Sequence, residues 1–208
     1  MNSSFEQVGG SRPRSAETRQ RLLTAASELI AEAGWGRVTT RAVAERAGLP
    51  LGAVSYHFRG KQELLSQAAL ETVEAIFPLR ELANVQTLVE LLGMIKTSVG
   101  NRESFDPVVS AMLLETLRES GRDPALRERM VTLLRDYRQL LAELVRSEQN
   151  RGAVAADADP AAVASLIAGA GDGLLMHALV DPRLDVTASV ETLLALLSGG
   201  GGDVSGRP

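Results

Sequence analysis

The chain has 208 residues, 45% of them hydrophobic but only 3% aromatic, with no cysteine and a net charge of −4. Leu, Ala and Val must therefore build the core, the Ala/Leu/Glu/Arg-rich composition favours helices, and neither a disulfide framework nor a thiolate metal site is open to it. The acidic total hides an asymmetry: residues 1–61 hold nine Lys/Arg against five Glu, a net of +4, while the rest holds 13 against 21, a net of −8. A basic end on an acidic body is either the footprint of an anionic partner such as nucleic acid or ordinary unevenness of surface charge.

Residues 1–15 are polar and aperiodic, which predicts a disordered arm. They lack the apolar core of a signal peptide, and no stretch is read as approaching the roughly 18 apolar residues of a membrane span. A soluble, cytoplasmic protein with no membrane partner is expected. From Glu17 onward, Leu22, Ala26, Leu29, Ile30 and Ala33 fall at the three-and-four spacing of an amphipathic helix that Gly34 closes. Thr39 can N-cap a second helix with Val43, Ala44 and Ala47 inward. Gly48 stops it, and Pro50 opens a third, barely two turns long, with Val54 and Phe58 four apart on its inner face.

A longer helix starts near Gly60, with Glu63 placed to reach back as a capping-box acid, and ends before Pro78. Leu88, Leu91, Leu92, Ile95 and Val99 mark another. Asp106-Pro107, Asp123-Pro124 and Asp159-Pro160 then act as start signals, since Asp can cap and Pro can fill the first turn. The second predicts a helix to about Arg151, roughly 40 Å long, and the third a helix to about Val180. A last helix carries Val190, Leu193, Leu194 and Leu197 before the flexible tail SGGGGDVSGRP. Nothing reads as a strand. The fold class is all-α, with about nine helices.

One stretch carries the function: TTRAVAERAGLPLGAVSYHFRGKQELL, Thr39 to Leu65. A helix-turn-helix needs a small residue where its two helices cross, Gly at the turn, and apolar residues that fix the interhelical angle. Ala44 is that small residue, Gly48 follows four positions later, Leu49 plugs the turn, and Val54 and Phe58 anchor the second helix. At 100° per residue, burying Val54 and Phe58 turns Gly52, Ala53 and Tyr56 outward, flanked by Ser55 and His57. A helix so presented fits a major groove about 12 Å wide.

This stretch resembles the DNA-binding signature of the TetR/AcrR family of bacterial transcriptional regulators. The resemblance lies in Thr39-Thr40, the AxxAG of Ala44 to Gly48, Gly52, the Tyr56-His57-Phe58 block, and Lys61 followed by Glu63-Leu64. With the helix from Glu17 it covers roughly residues 17–66; the remainder is similar only in helix number, length and capping. Ser55 and Pro50-Leu51 depart from the family's commonest residues, which puts base contacts at those positions in question. Between the disordered arm (1–15) and the flexible tail (199–208), the resemblance implies a three-helix helix-turn-helix DNA-binding domain (16–62) and a helical ligand-binding and dimerisation domain (63–198). It also implies a homodimer on double-stranded operator DNA, an unidentified small-molecule effector and no cofactor.

Thr39 and Thr40, at a helix N-terminus that favours anions, are candidate phosphate contacts, as are Tyr56, His57 and Lys61. Between Pro50 and Phe58 there is no Arg, Lys, Asn or Gln, so the bidentate readers of guanine and adenine are missing. Readout falls to Ser55, Tyr56, His57 and Arg41, to apolar contact of Leu51 or Ala53 with thymine methyls, and to DNA shape. Arg12 and Arg14 either touch DNA or only solubilise the arm. Met94, Phe105, Met112, Glu115, Met130 and Tyr137 are candidates to line an effector pocket, or else plain core. Ala164, Ala168, Gly171, Leu175 and Ala178 form a stripe of mostly small residues suited to a two-fold dimer face. Two histidines 120 positions apart, with no nucleophile elbow, P-loop or metal pattern, argue against an enzyme. A helical interaction module without DNA function is the other alternative.

Overall fold

The computed structural model describes residues 11–100, 107–181 and 183–199. Among these every element is helical: α1 (Ser11–Ala33), a 3-10 turn (Trp35–Arg37), α2 (Thr40–Arg46), α3 (Leu51–His57), α4 (Lys61–Ile76), α5 (Leu79–Leu82), α6 (Leu88–Gly100), α7 (Pro107–Ser120), α8 (Pro124–Asn150), α9 (Pro160–Val180) and α10 (Val186–Gly199). Nine of the α-helices have seven residues or more. The four-residue α5 and the 3-10 turn have no periodic signature long enough to predict. α1 begins six residues before Glu17, since Pro13 falls in its first turn, where a missing N–H breaks no helical bond.

The described chain forms two compact units, with the boundary inside the first turn of α8. In the first (Met1–Ile76 and Pro107–Arg127), α1, α4 and α7 pack against one another and α2 and α3 join α1. Leu22, Leu23, Ala26 and Ile30 of α1, Leu64, Leu65 and Ala68 of α4, and Met112 of α7 are almost fully buried. Each such Leu contributes about 1.5–3 kcal/mol by burial. Ser27 Oγ lies 3.1 Å from Thr72 Oγ1, a polar tie between α1 and α4 inside that apolar packing. Asp123 fulfils its start-signal reading and does more. Its carboxylate accepts from Ala125 N (2.9 Å) and Leu126 N (3.1 Å) to cap α8, and from Gln62 Nε2 (3.0 Å) and Ser66 Oγ (3.4 Å) on α4. The bond from Gln62, followed by that from Leu126, holds its carboxyl below the ordinary aspartate range.

In the second unit (Phe77–Asp106 and Glu128–Pro208), α6 packs on α9 and α10. Leu92, Val186 and Val190 form a core that Ile95, Leu174, Ala178, Leu184, Leu193 and Leu194 complete. Buried Glu148 accepts from Leu88 N (3.2 Å) and Arg151 Nη1 (3.0 Å), satisfying the start of α6 from the end of α8. Asp159 caps α9 through Ala161 N at 3.0 Å, as its Asp-Pro pair predicts.

The reading of the chain as free of membrane-length segments needs correction. α9 is 21 residues long with a mean hydropathy of 1.6 over its best window, enough by length and composition to cross a membrane. The sequence conceals this because Leu, Ile and Val are interspersed with Ala and Gly instead of gathered in one run.

Candidate nucleic-acid interface

The candidate interface is assembled from the short helices α2 and α3 and the turn that joins them. Thr39 is extended (φ −123°, ψ 151°) and its Oγ1 accepts from Ala42 N at 3.1 Å, the N-cap its position predicts. At the other end of α2, Gly48 N donates to Glu45 O and Leu49 N to Ala44 O, a Schellman closure. That closure needs a left-handed residue, and Gly48 has φ +64°. Arg21 of α1 buttresses the turn by donating from Nη2 to Ala47 O at 2.6 Å.

Pro50 then starts α3, and Phe58 N closes it on Val54 O at 2.8 Å. Val54 and Phe58 are buried as expected, and the Arg19 guanidinium lies 5.6 Å from the Phe58 ring centre. The opposite face is open: Tyr56 is 79% and Leu51 52% exposed, with Gly52 and Ser55 beside them. Ala53 and His57 are half-buried at the flanks, and the Tyr56 and His57 rings meet edge-on at 4.9 Å. An exposed Leu and Tyr on a two-turn helix offer apolar and hydroxyl contacts at a single surface.

Arg41 is exposed and paired with Glu45 at 3.1 Å, a one-turn ion pair worth about 0.3–0.5 kcal/mol. So weak a hold leaves its guanidinium free to turn to a phosphate or a base. Thr40 is half-buried in the first turn of α2. Lys61, also half-buried, donates from Nζ to Gly36 O at 3.2 Å, so its ammonium is held at the turn before α2 instead of standing free. Glu63 accepts from Arg59 N at 2.7 Å and fixes the start of α4. Arg46 joins α2 to α1 through Glu28 (3.1 Å) and Glu32 (2.7 Å). The bonds from these two carboxylates raise the Arg46 pKa, and Arg46 in turn lowers that of Glu32. Sequence reasoning missed both Arg21 and Arg46 as structural ties, since nothing in a one-dimensional pattern marks a partner 14 to 26 residues away. Arg14 is exposed; the side chain of Arg12 is outside the described residues.

The described pocket candidates fall in both units. Met112 and Glu115 belong to the first unit, Met94, Met130 and Tyr137 to the second, and Phe105 lies outside the described residues. Met112 and Met130 are buried, and Glu115 accepts a hydrogen bond from Trp35 N at 3.1 Å. Tyr137 is buried against Phe77, ring centres 5.1 Å apart. Burial, with a smaller push from the charge of Asp172, raises the Tyr137 phenol to about 12, and desolvation raises the Asp172 carboxyl.

The small-residue stripe of α9 faces its own subunit. Ala164 and Ala168 are buried, Ala178 packs on the Leu92 core, and a side chain at Gly171 would meet Ile95 at 3.9 Å; Leu175 is half-buried. The opposite side of the helix shows Leu166 (69% exposed), Met176 and Val180 (86%), with open Gly169 and Gly173 between.

Over residues 22–68 the sequence matches the family described as bacterial regulatory proteins, tetR family, and over residues 90–199 the BetI-type transcriptional repressor C-terminal family. UidR, an HTH-type transcriptional regulator of Escherichia coli (strain K12), is 21% identical over 188 residues, which span 88% of this chain and 92% of that protein. A transcriptional regulator from Pseudomonas aeruginosa PAO1 shares the fold with a TM-score of 0.78 at 21% identity, over 95% of this chain and 96% of that one. SmeT, the repressor of the Stenotrophomonas maltophilia multidrug efflux pump SmeDEF, solved with triclosan, gives a TM-score of 0.73 at 26% identity, over 92% of this chain and 97% of that one. UidR and SmeT are thus a transcriptional regulator and a repressor. The second matched segment alone exceeds half of the chain, and the first contains the whole helix-turn-helix: this protein belongs to the TetR family of bacterial transcriptional regulators.

Proposed function

We propose that the protein is a homodimeric repressor that releases a palindromic operator when a small molecule binds its C-terminal helices. The observation that carries this reading is the open face of α3, where Leu51, Gly52, Ser55 and Tyr56 stand opposite buried Val54 and Phe58. Thr39, Thr40 and Lys61 supply phosphate contacts, Arg41 and His57 flank the reading face, and Leu51 and Ala53 meet thymine methyls. Residues 16–62 act as the DNA-binding head and residues 63–198 as the sensing and pairing body, in the cytoplasm where the operator is.

The second copy covers the outer face of α9, with Leu166, Gly169, Gly173, Met176 and Val180 at three-and-four spacing and exposed Leu196 on α10. Gly169 and Gly173 let two helices approach closely. Two heads so paired place their α3 helices in successive major grooves, about 34–36 Å apart. The effector site is built around buried Tyr137 and Phe77, with Asp172 as its charged group. That SmeT is solved with triclosan supports a small organic effector for this chain too. Such a ligand acts only by favouring one head spacing over another.

The test is binding of the purified protein to DNA from upstream of its own gene, at two salt concentrations with excess competitor, followed by footprinting. Protection of a near-palindrome that survives competitor is the expected result. Lys61→Ala should weaken binding and reduce the salt slope by about one. Loss of binding equally to all competitor DNA would leave a basic helical module and end the repressor reading.

A further inference from the structure

We infer that Glu115 is a positioning residue for operator binding: its carboxylate clamps the turn that sets the first DNA-contacting residues. The inference rests on the DNA-binding reading above and adds a residue that the helix-turn-helix motif does not contain.

α1 ends at Gly34, whose N donates to Ile30 O at 2.8 Å and whose backbone (φ 78°, ψ 153°) lies in a region open almost solely to glycine. That conformation turns the next N–H, of Trp35, away from the helix. It donates to Glu115 Oε2 of α7 at 3.1 Å, across 80 residues of sequence. The following carbonyl, of Gly36, accepts from Lys61 Nζ at the start of α4. A three-residue turn is thus held by α7 through its N–H and by α4 through its C=O. Val38 is buried next in line, and Thr39 then opens α2. Any displacement of α7 along α1 must pull on the backbone at Trp35, four residues before Thr39, the first of the predicted phosphate contacts.

Electrostatics alone does not explain a carboxylate here. The C-terminus of α1 carries the negative end of the helix dipole, so an acid beside Gly34 is unfavourably placed. Arg118 offsets this by donating to Glu115 Oε2 at 3.0 Å, and Arg37 lines the same open groove of about 480 Å³ with Glu32, Gly34 and Gly36. What the site requires is an acceptor at a fixed point, which a neutral amide can supply. The indole of Trp35, the single tryptophan in the chain, is buried beneath this turn and reports on it.

The experiment compares full-length wild type, Glu115→Ala and Glu115→Gln for operator affinity, affinity for random DNA, thermal unfolding and hydrogen exchange at the Trp35 amide. Removing the charged acceptor should weaken operator binding by about tenfold. Random-DNA affinity should hold, Trp35 amide exchange should speed up, and Glu115→Gln should recover most of the operator affinity. An alanine variant that binds operator like the wild type overturns the inference alone, as does a glutamine variant no better than alanine. If the alanine variant does not fold, the wild type decides: operator must slow exchange at Trp35, and unchanged exchange overturns the clamp. A wild type that binds no operator removes the DNA-binding reading itself, and the inference with it.

Discussion

α3 and α9 are both short of charge, yet they present opposite kinds of surface. α3 buries one apolar stripe, Val54 with Phe58, and exposes Gly52, Ser55 and Tyr56, which tolerate water, beside a single large apolar side chain, Leu51. α9 buries Ala164, Ile167 and Ala168 on one side and exposes Leu166, Met176 and Val180 on the other, so it is apolar twice over. A face of the first kind suits a hydrated partner that comes and goes. One of the second kind leaves several large apolar side chains of one helix in water, which favours permanent cover. On this contrast we assign the operator to α3 and a second copy of the chain to α9, as proposed above.

The largest effect should come from charging the α9 face. Leu166→Glu together with Val180→Glu leaves the internal stripe of Ala164 and Ala168 untouched, so the subunit should fold, as circular dichroism can verify. Sedimentation should show a monomer. Losing the second head removes the avidity of two half-sites, a drop in operator affinity of roughly 10²–10⁴. A doubly substituted chain that still sediments as a dimer would place the pairing surface elsewhere.

Next in size is Gly48→Ala. At φ +64° a side chain costs about 1–2 kcal/mol. Its Cβ would also come within 3.3 Å of Arg21 Nη2, the group that buttresses Ala47 O. Urea denaturation should show the loss, and a midpoint within error of the wild type would mean that the turn relaxes without its Schellman closure.

Gly48 could be read from the sequence because everything it needs is within six residues: a preceding helix, a following Pro50 and a left-handed turn. The Asp123 and Asp159 caps were legible for the same reason. The extent of α9 was legible too, but its inward face was not, because a helix with two apolar stripes offers two solutions of the same period. Only Ile95 and the Leu92 core, from another helix, decide which stripe turns inward. Glu115 looked like a polar group in an apolar pocket, and its partner at Trp35 leaves no trace in any local pattern. Element type and the reading face follow from short-range chemistry, whereas pairing partners depend on packing that periodicity cannot rank.

The smallest predicted change separates the two demands on α3 most sharply. Gly52 lies inside the helix and is exposed, and a Cβ added there meets nothing within 4 Å. By helix propensity alone Gly52→Ala should stabilise the protein, by up to about 1 kcal/mol. A glycine that costs stability where there is room for a methyl group makes sense if the backbone itself must come close to something that binds from outside. The two measurements should therefore move in opposite directions, with the urea midpoint rising and operator affinity falling. If both rise, Gly52 faces away from the operator and the reading surface rotates toward Ser55 and Leu51. If binding falls without a gain in stability, the glycine is serving the fold of α3, and the contrast with α9 must rest on Tyr56 alone.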